Sequence, residues 1–330
     1  PFSVTGQPNA MGGREVGGLA NTLAAHMDIE DARARDRVQR FWSAPAIAAR
    51  PGLKAVDLFR AVADGRIRAL WIMGTNPAVS MPRADDVAAA IAACPFVVVS
   101  DVVRDTDTAG LAQVLLPAAA WGEKDGTVTN SERRISRQRP FLPPPGAARP
   151  DWAIVCEIAR RMGFSGFDYA SPAEIFAEHA ALSGFENEGT RDFDISAHAR
   201  ITPAGYDGLA PFQWPQRAGA AQGATRLFGD GRFFTPDGKA RIVPLAPAAP
   251  GVGAEADFRL NTGRIRDQWH TMTRTGAVPR LMGQFGEPFC ELHPDDADRL
   301  GVVPAGLVRV EAAGGAVLLR ARITAAQPRG

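Results

Sequence analysis

Four stretches concentrate the residue types that bind anions or nucleotides. The run Asn261 to Gly276 (NTGRIRDQWHTMTRTG) holds three arginines, a histidine and several hydroxyls, donors that suit a multi-phosphate or other anionic ligand when they follow a strand. His270 alone equally suits a structural role. The segment Glu123 to Arg134 (EKDGTVTNSERR) crowds a lysine, two arginines and an asparagine into a turn-rich stretch. It reads either as an anion-contacting loop or as a solvated charged one. The run Gly6 to Gly18 (GQPNAMGGREVGG) packs five glycines around Arg14 and Glu15; such a loop brings backbone N–H groups close to a ligand, or closes a tight turn under a helix. Ser100 and Asp101 follow an apolar run, where a carboxylate accepts from ribose hydroxyls or guanine N–H donors, or caps a helix.

Other chemistries find no support. The three cysteines, Cys94, Cys156 and Cys290, form no CxxC pair, so neither an iron-sulfur nor a zinc motif is present; their usage suits a reducing compartment. The remaining histidines, His26, His179, His198 and His293, lack metal-like spacing, and no Ser-His-Asp or Cys-His arrangement announces a hydrolase. Lys plus Arg at 37 against Asp plus Glu at 36 leaves a charge of +1, which gives no global field for nucleic acid or an acidic membrane. No stretch reaches the about eighteen consecutive apolar residues of a spanning helix.

The 330 residues, 45% of them hydrophobic, fit two or three domains with sizeable cores. A loop and short helix are expected across Leu19 to Met27, an exposed helix over Asp28 to Trp42, and a second over Val56 to Ala63 stopped by Gly65. Ala69 to Met73 reads as a buried parallel strand running into the Gly74 to Pro77 turn. A helix over Ala84 to Ala93, a strand over Phe96 to Ser100 and another over Val114 to Pro117 complete a doubly wound α/β unit. Ligands of such sheets bind at the carboxyl ends of the strands, which singles out Thr75, Asn76, Pro77, Ser100 and Asp101.

Residues 122–150 read as a surface excursion, after which Asp151 caps a helix through Met162. Residues 164–255 read as a connecting region of weak secondary structure with a helix over Pro172 to Leu182. Strands follow at Phe258 to Thr262, Leu307 to Glu311 and Ala316 to Thr324, the last two joined by a Gly314-Gly315 hairpin. Both ends read as cut inside domains.

Four motifs in register, PFSVTGQPNAMGGREVGGLANTLAAHM, LWIMGTNPAVSMP, VVVSDVVRDTDTAGLAQVLLPAAAWGEKDGTVTNSERRISRQR and LNTGRIRDQWHTMTRTG, resemble the molybdopterin oxidoreductase superfamily, most closely its bacterial assimilatory nitrate reductases. The resemblance implies a doubly wound parallel-sheet molybdopterin domain at 1–163, a connecting region at 164–255 and the start of a double-psi β-barrel at 256–330. It implies molybdenum on two molybdopterin guanine dinucleotides, nitrate as substrate, an iron-sulfur cluster fed by an electron-donor protein or domain, and a cytoplasmic enzyme without nucleic-acid or membrane partners.

Carried over by position, the resemblance places Asn76, Ser100, Asp101, Lys124 and Asp151 around one guanine dinucleotide. It places Thr262, Gly263, Arg264, Ile265, Arg266, Asp267, Gln268, Trp269, His270 and Thr271 around the other pterin and its pyrophosphate. Arg14 is implied to attract nitrate by its charge, beside the alternative of an ion pair with Glu15. The family's cluster cysteines and molybdenum ligand fall upstream of the matched motifs, so no metal ligand and no independent turnover are expected here. Formate dehydrogenase is the alternative activity, and a non-catalytic guanine-dinucleotide-binding module the alternative from another class.

Overall fold

The computed structural model describes residues 9–246, 257–312 and 314–330; the Gly6 to Pro8 part of the glycine-rich run lies outside them. Helix α1 (Ala10–Glu15) leads into a short antiparallel pair, β1 (Thr22–Leu23) and β2 (Met27–Asp28). The helix expected across Leu19 to Met27 is therefore absent. Ala25 and His26 take left-handed φ values of 58° and 56°, which no α-helix accommodates. Gly17, at φ 76°, has Leu23 so close that a Cβ would stand 2.5 Å from its carbonyl carbon, so only glycine fits this crossing. Helix α2 (Ala32–Trp42) starts where Asp31 accepts from the Arg33 N–H at 2.9 Å. It buries Ala34 and Val38, one helical turn apart, against the core.

The parallel unit follows the sequence closely. Helix α3 (Ala55–Ala63), strand β3 (Ala69–Met73), the short α4 (Pro77–Ser80), helix α5 (Ala84–Ala93), strand β4 (Phe96–Asp101) and strand β5 (Val114–Pro117) form a sheet of order β3-β4-β5, parallel throughout. Helices α3 and α5 touch each other and share a core with Leu70, Ile72, Val97 and Val99. Between β4 and β5 the chain makes only a single 3-10 turn at Ala109–Leu111. The register pairs Met73 with Ser100 and Asp101 with Pro117, so the three carboxyl ends lie level.

The larger core lies elsewhere. Strands β6 (Gly126–Thr129) and β7 (Arg134–Gln138) form a hairpin, so 122–150 is not wholly a surface excursion: Thr129, Arg133 and Ile135 are buried. Helix α6 (Asp151–Arg161) has Pro150 as its N-cap; Asp151 is its first residue rather than its cap. Helix α7 (Pro172–Gly184) covers the one expected in this region, and α8 (Pro203–Asp207) and β8 (Phe212–Gln213), which pairs with β7, follow. Phe176, Leu182, Phe193, Ile195, Tyr206 and Trp214 pack with Met27, Val38 and Ile135. Stacked cations reinforce this core: Arg137 lies 3.8 Å from the Tyr206 ring centroid and Arg133 5.3 Å from that of Trp214.

Residues 257–278 form turns, and the strand expected at Phe258 to Thr262 is absent. Among the described residues no strand pairs with this segment, and pairing rather than propensity decides a strand. Helix α9 (Pro279–Met282), strand β9 (Phe289–Leu292), helix α10 (Pro294–Leu300) and strands β10 (Leu307–Ala312) and β11 (Gly315–Ile323) complete the chain. β10 and β11 form the expected hairpin, and β11 runs parallel to β9, giving a mixed sheet of order β10-β11-β9. Among the described residues this sheet is open, and no helix is long and apolar enough to cross a membrane.

Candidate cofactor-binding site

The level carboxyl ends of β3, β4 and β5 carry Asn76, Ser100 and Asp101, and each already has partners. The Asn76 side chain, 6% exposed, accepts at Oδ1 from the Thr108 N–H at 3.2 Å and hydroxyl at 2.6 Å. Its Nδ2 donates to Asp107 Oδ2 at 3.4 Å and to Thr271 Oγ1 at 3.2 Å. The Ser100 hydroxyl, fully buried, accepts from the Trp71 indole N–H at 2.8 Å. Asp101 holds its own turn, one carboxylate oxygen accepting from the Val102 N–H at 2.6 Å and the Val103 N–H at 3.3 Å. The other oxygen has no hydrogen-bond partner among the described residues.

Beyond β5, a 3-10 turn at Trp121–Glu123 leads into Lys124. Its ammonium pairs with Asp151 Oδ2 at 3.0 Å, both side chains being about one-third exposed, at 31% and 39%. Two residues assigned to one ligand thus meet each other, a complementary pair that a ligand with both donors and acceptors can divide.

The 262–271 run is less committed. Residues 262–264 are exposed, Arg264 lies 5.2 Å from the Trp269 ring centroid, and no carboxylate partner for it is found among the described residues. Arg266 is held by Asp267 at 2.9 and 3.0 Å and by Gln284. Gln268, 3% exposed, donates to Met282 Sδ at 3.0 Å, while its Oε1 is buried with no partner among the described residues. A buried acceptor left unmatched costs about 1–3 kcal/mol and marks a place that a donor from outside would complete. Trp269 donates its N–H to Thr275 Oγ1 at 3.0 Å, and the His270 ring stands edge-on to Trp269 at 4.5 Å. Thr271, through Asn76, joins this run to the end of β3. The Arg264 cation, an orphaned acceptor and exposed residues 262–264 fit a phosphate-bearing, donor-rich group such as a guanine dinucleotide.

The glycine-rich loop sits apart from these groups. Glu15 does not pair with Arg14: it is buried, accepting from the Trp214 indole N–H at 2.6 Å and the Thr129 hydroxyl at 2.7 Å. Burial raises its pKa against the opposing effect of those two bonds. Arg14 is exposed and lines a cavity of about 460 Å³ with His26, Arg133, Asp192 and Trp214. His26 Nδ1 meets Asp192 at 2.9 Å. For Asp192 burial works to raise the pKa, but the His26 bond prevails and holds it low. A second cavity of about 360 Å³, beside Pro117, Ile154 and Arg161, has its charges paired through Glu157. Neither cavity is lined by Asn76, Ser100, Asp101 or the 262–271 run, although Pro117 at the end of β5 borders the second. Among the described residues no three His, Cys, Asp or Glu gather as a metal site.

Sequence reasoning missed Asp107, Thr108, Glu15 and Trp214 as the partners that hold these elements. The alternation DTDT at Asp105 to Thr108 was the available signal for the first two, since Thr106 and Thr108 both satisfy buried backbone N–H groups, of Ala109 at 3.0 Å and Ala78 at 3.1 Å.

Comparison with known proteins agrees with this arrangement. Residues 6–161 match the molybdopterin oxidoreductase family model, and residues 258–330 match that of the molydopterin dinucleotide binding domain. A nitrate reductase from Klebsiella oxytoca is 52% identical over 326 residues, covering 98% of this chain and 37% of that protein. One from Shewanella frigidimarina is 49% identical, over 94% of this chain and 34% of its own length. The chain thus spans about a third of the length of these two relatives. Among solved structures, acetylene hydratase from Pelobacter acetylenicus superposes with a TM-score of 0.60 at 18% identity, over 90% of this chain and 41% of that one, which shows a shared fold. With both family domains matched in order, and the residues between them aligned throughout to such relatives, the chain belongs to the molybdopterin oxidoreductase family.

Proposed function

We propose that this chain forms the cofactor-holding part of the catalytic subunit of a cytoplasmic assimilatory nitrate reductase. In this reading residues 1–163 are the molybdopterin domain, 164–255 connect, and 256–330 begin the dinucleotide-binding barrel. When bound, molybdenum bis(molybdopterin guanine dinucleotide) would supply the two-electron reduction of nitrate to nitrite, the oxygen leaving as water with two protons taken up and the electrons coming from an iron-sulfur cluster and a donor protein or domain.

The chain's own residues bind and orient. Asp101 and Asp151 accept from guanine or ribose donors, while Lys124, Arg264 and Arg266 neutralise pyrophosphate. The backbone and side chains of Thr262, Gly263, Ile265, Asp267, Gln268, Trp269, His270 and Thr271 line the second dinucleotide, and the unmatched Gln268 Oε1 receives a donor. Asn76 and Ser100 frame the first. Arg14, unpaired with Glu15 and exposed at its cavity, draws the nitrate anion inward by its charge.

One observation carries the reading: the Asn76 to Thr271 bond seats the two segments rich in nucleotide-binding residue types side by side. Relatives of both kinds run along nearly the whole chain, but a nitrate reductase is 52% identical and a formate dehydrogenase 33%. The test is an anaerobic assay of the full-length enzyme. Nitrite formed from nitrate with reduced viologen is expected, without formate-dependent viologen reduction. Formate oxidation without nitrate reduction overturns the reading in favour of a formate dehydrogenase, and tightly bound guanine dinucleotide with neither activity in favour of a non-catalytic carrier.

A further inference from the structure

The amide of Asn76 is saturated. An amide side chain offers one oxygen acceptor and two N–H donors; here the oxygen takes both the N–H and the hydroxyl of Thr108, and the nitrogen serves Asp107 and Thr271. Its orientation is forced, because the Thr108 backbone N–H only donates, so the atom facing it is the oxygen and the nitrogen must face Thr271. Thr108 is itself fixed, fully buried with its hydroxyl oxygen accepting from the Ala78 N–H at 3.1 Å.

The other end of this bond needs a hold. Thr271 lies between His270 and Met272, whose φ values of 48° and 64° are left-handed. Two non-glycine residues in that region within three positions are strained, and persist only where surrounding contacts over-determine them. Within the run, the turn is closed by the Trp269 N–H to Thr275 Oγ1 at 3.0 Å and the Gly276 N–H to the Met272 carbonyl at 2.8 Å. Neither bond ties it to the parallel sheet. The Asn76 to Thr271 bond does.

We propose that Asn76 is a positioning residue rather than a ligand contact: it fixes the register of the 262–271 run on the carboxyl end of β3 through Thr271, with Thr108 setting its orientation. The role of that run in holding a dinucleotide rests on the function proposed above; the clasp itself does not.

The test compares Thr271→Val, which removes the acceptor, Thr271→Ser, which keeps it, and Asn76→Asp, which removes the donor, singly and as Asn76→Asp with Thr271→Val. Each is made in the full-length, cofactor-loaded enzyme. Amide hydrogen exchange across residues 266–274 and the guanine nucleotide released on denaturation are both read. Thr271→Val and Asn76→Asp are each expected to speed exchange about tenfold, with no further gain in the double variant and wild-type behaviour in Thr271→Ser. Nucleotide loss in Asn76→Asp with unchanged exchange, and a silent Thr271→Val, overturn the clasp and make Asn76 a ligand contact. Faster exchange with undiminished nucleotide upholds the clasp and overturns the cofactor reading of the run. Should Asn76→Asp not fold, the Val and Ser substitutions at Thr271 decide alone.

Discussion

The carboxyl ends of β3 to β5 and the 262–271 run carry the same kinds of residue and treat them in opposite ways. At the strand ends, polar atoms are spent inside the protein: Asn76 on Thr108 and Thr271, Ser100 on Trp71, one oxygen of Asp101 on its own turn. In the run, among the described residues, Arg264 rests only on Trp269 and Gln268 keeps an unmatched oxygen. The first region is a frame whose shape is set before anything binds, because the Asn76 to Thr108 hydrogen bonds at its centre are buried and costly to break. The second keeps its binding capacity and borrows its position from the frame. Polar residue type at a strand end is therefore a poor guide to ligand contact until the residue's own partners are known.

This contrast can be broken or sharpened by substitution. The largest effect on stability is expected from Thr108→Val, which leaves the Ala78 N–H unmatched in a buried setting and takes the hydroxyl donor from Asn76 Oδ1, the Thr108 N–H remaining. The loss is on the order of 2–3 kcal/mol by urea unfolding, and a loss under half of that would deny that the frame is preset. Arg264→Ala is expected to do the reverse, lowering retained guanine dinucleotide about tenfold while moving stability by less than about 0.5 kcal/mol. Equal effects of the two variants on both readouts would erase the distinction.

Lys124→Ala and Asp101→Ala fall between. The Lys124 to Asp151 pair is about one-third exposed, so its loss costs at most about 1 kcal/mol of stability, and both variants are expected to lower molybdenum cofactor occupancy more than they change the fold. Normal cofactor content in both would remove these residues from the site. The smallest effect is a pH slope. Glu15 has a folded pKa raised above its ordinary 4.5, so the folded state holds the proton more tightly, and the stability this gives is complete below 4.5 and lost as pH rises through the raised value. Glu15→Gln should remove that decline, seen as the wild-type minus variant difference in unfolding free energy across pH; a difference independent of pH would contradict it.

Regular elements were legible in the sequence where apolar residues run continuously or at helical spacing. Ala69–Met73, Ala84–Ala93 and Val114–Pro117 fall at the expected residues, and the expected hairpin of β10 and β11 forms, with Gly315 in β11 paired to Ala312 rather than in the turn. The larger core was not legible, because Phe193, Tyr206 and Trp214 are single apolar residues among polar and turn-forming neighbours, and no period links them. Phe258 to Thr262 shows the converse, a strand-like composition without a partner strand. At the site, residue types marked Asn76 and the 262–271 run separately, yet nothing in their spacing showed that they touch across 195 positions. Nor could the Arg14-Glu15 pairing be judged without knowing that Trp214 and Thr129 claim Glu15.

The most direct measurement is an experimental density map of the full-length enzyme loaded with its cofactor. The account predicts density for one guanine dinucleotide against Asp101 and Lys124 and for the other against Arg264 and Gln268, with Asn76 still bonded to Thr271. Dinucleotide density seated instead in the cavity of Arg14, His26 and Trp214, or in that of Pro117 and Ile154, with the 262–271 run untouched, would contradict it.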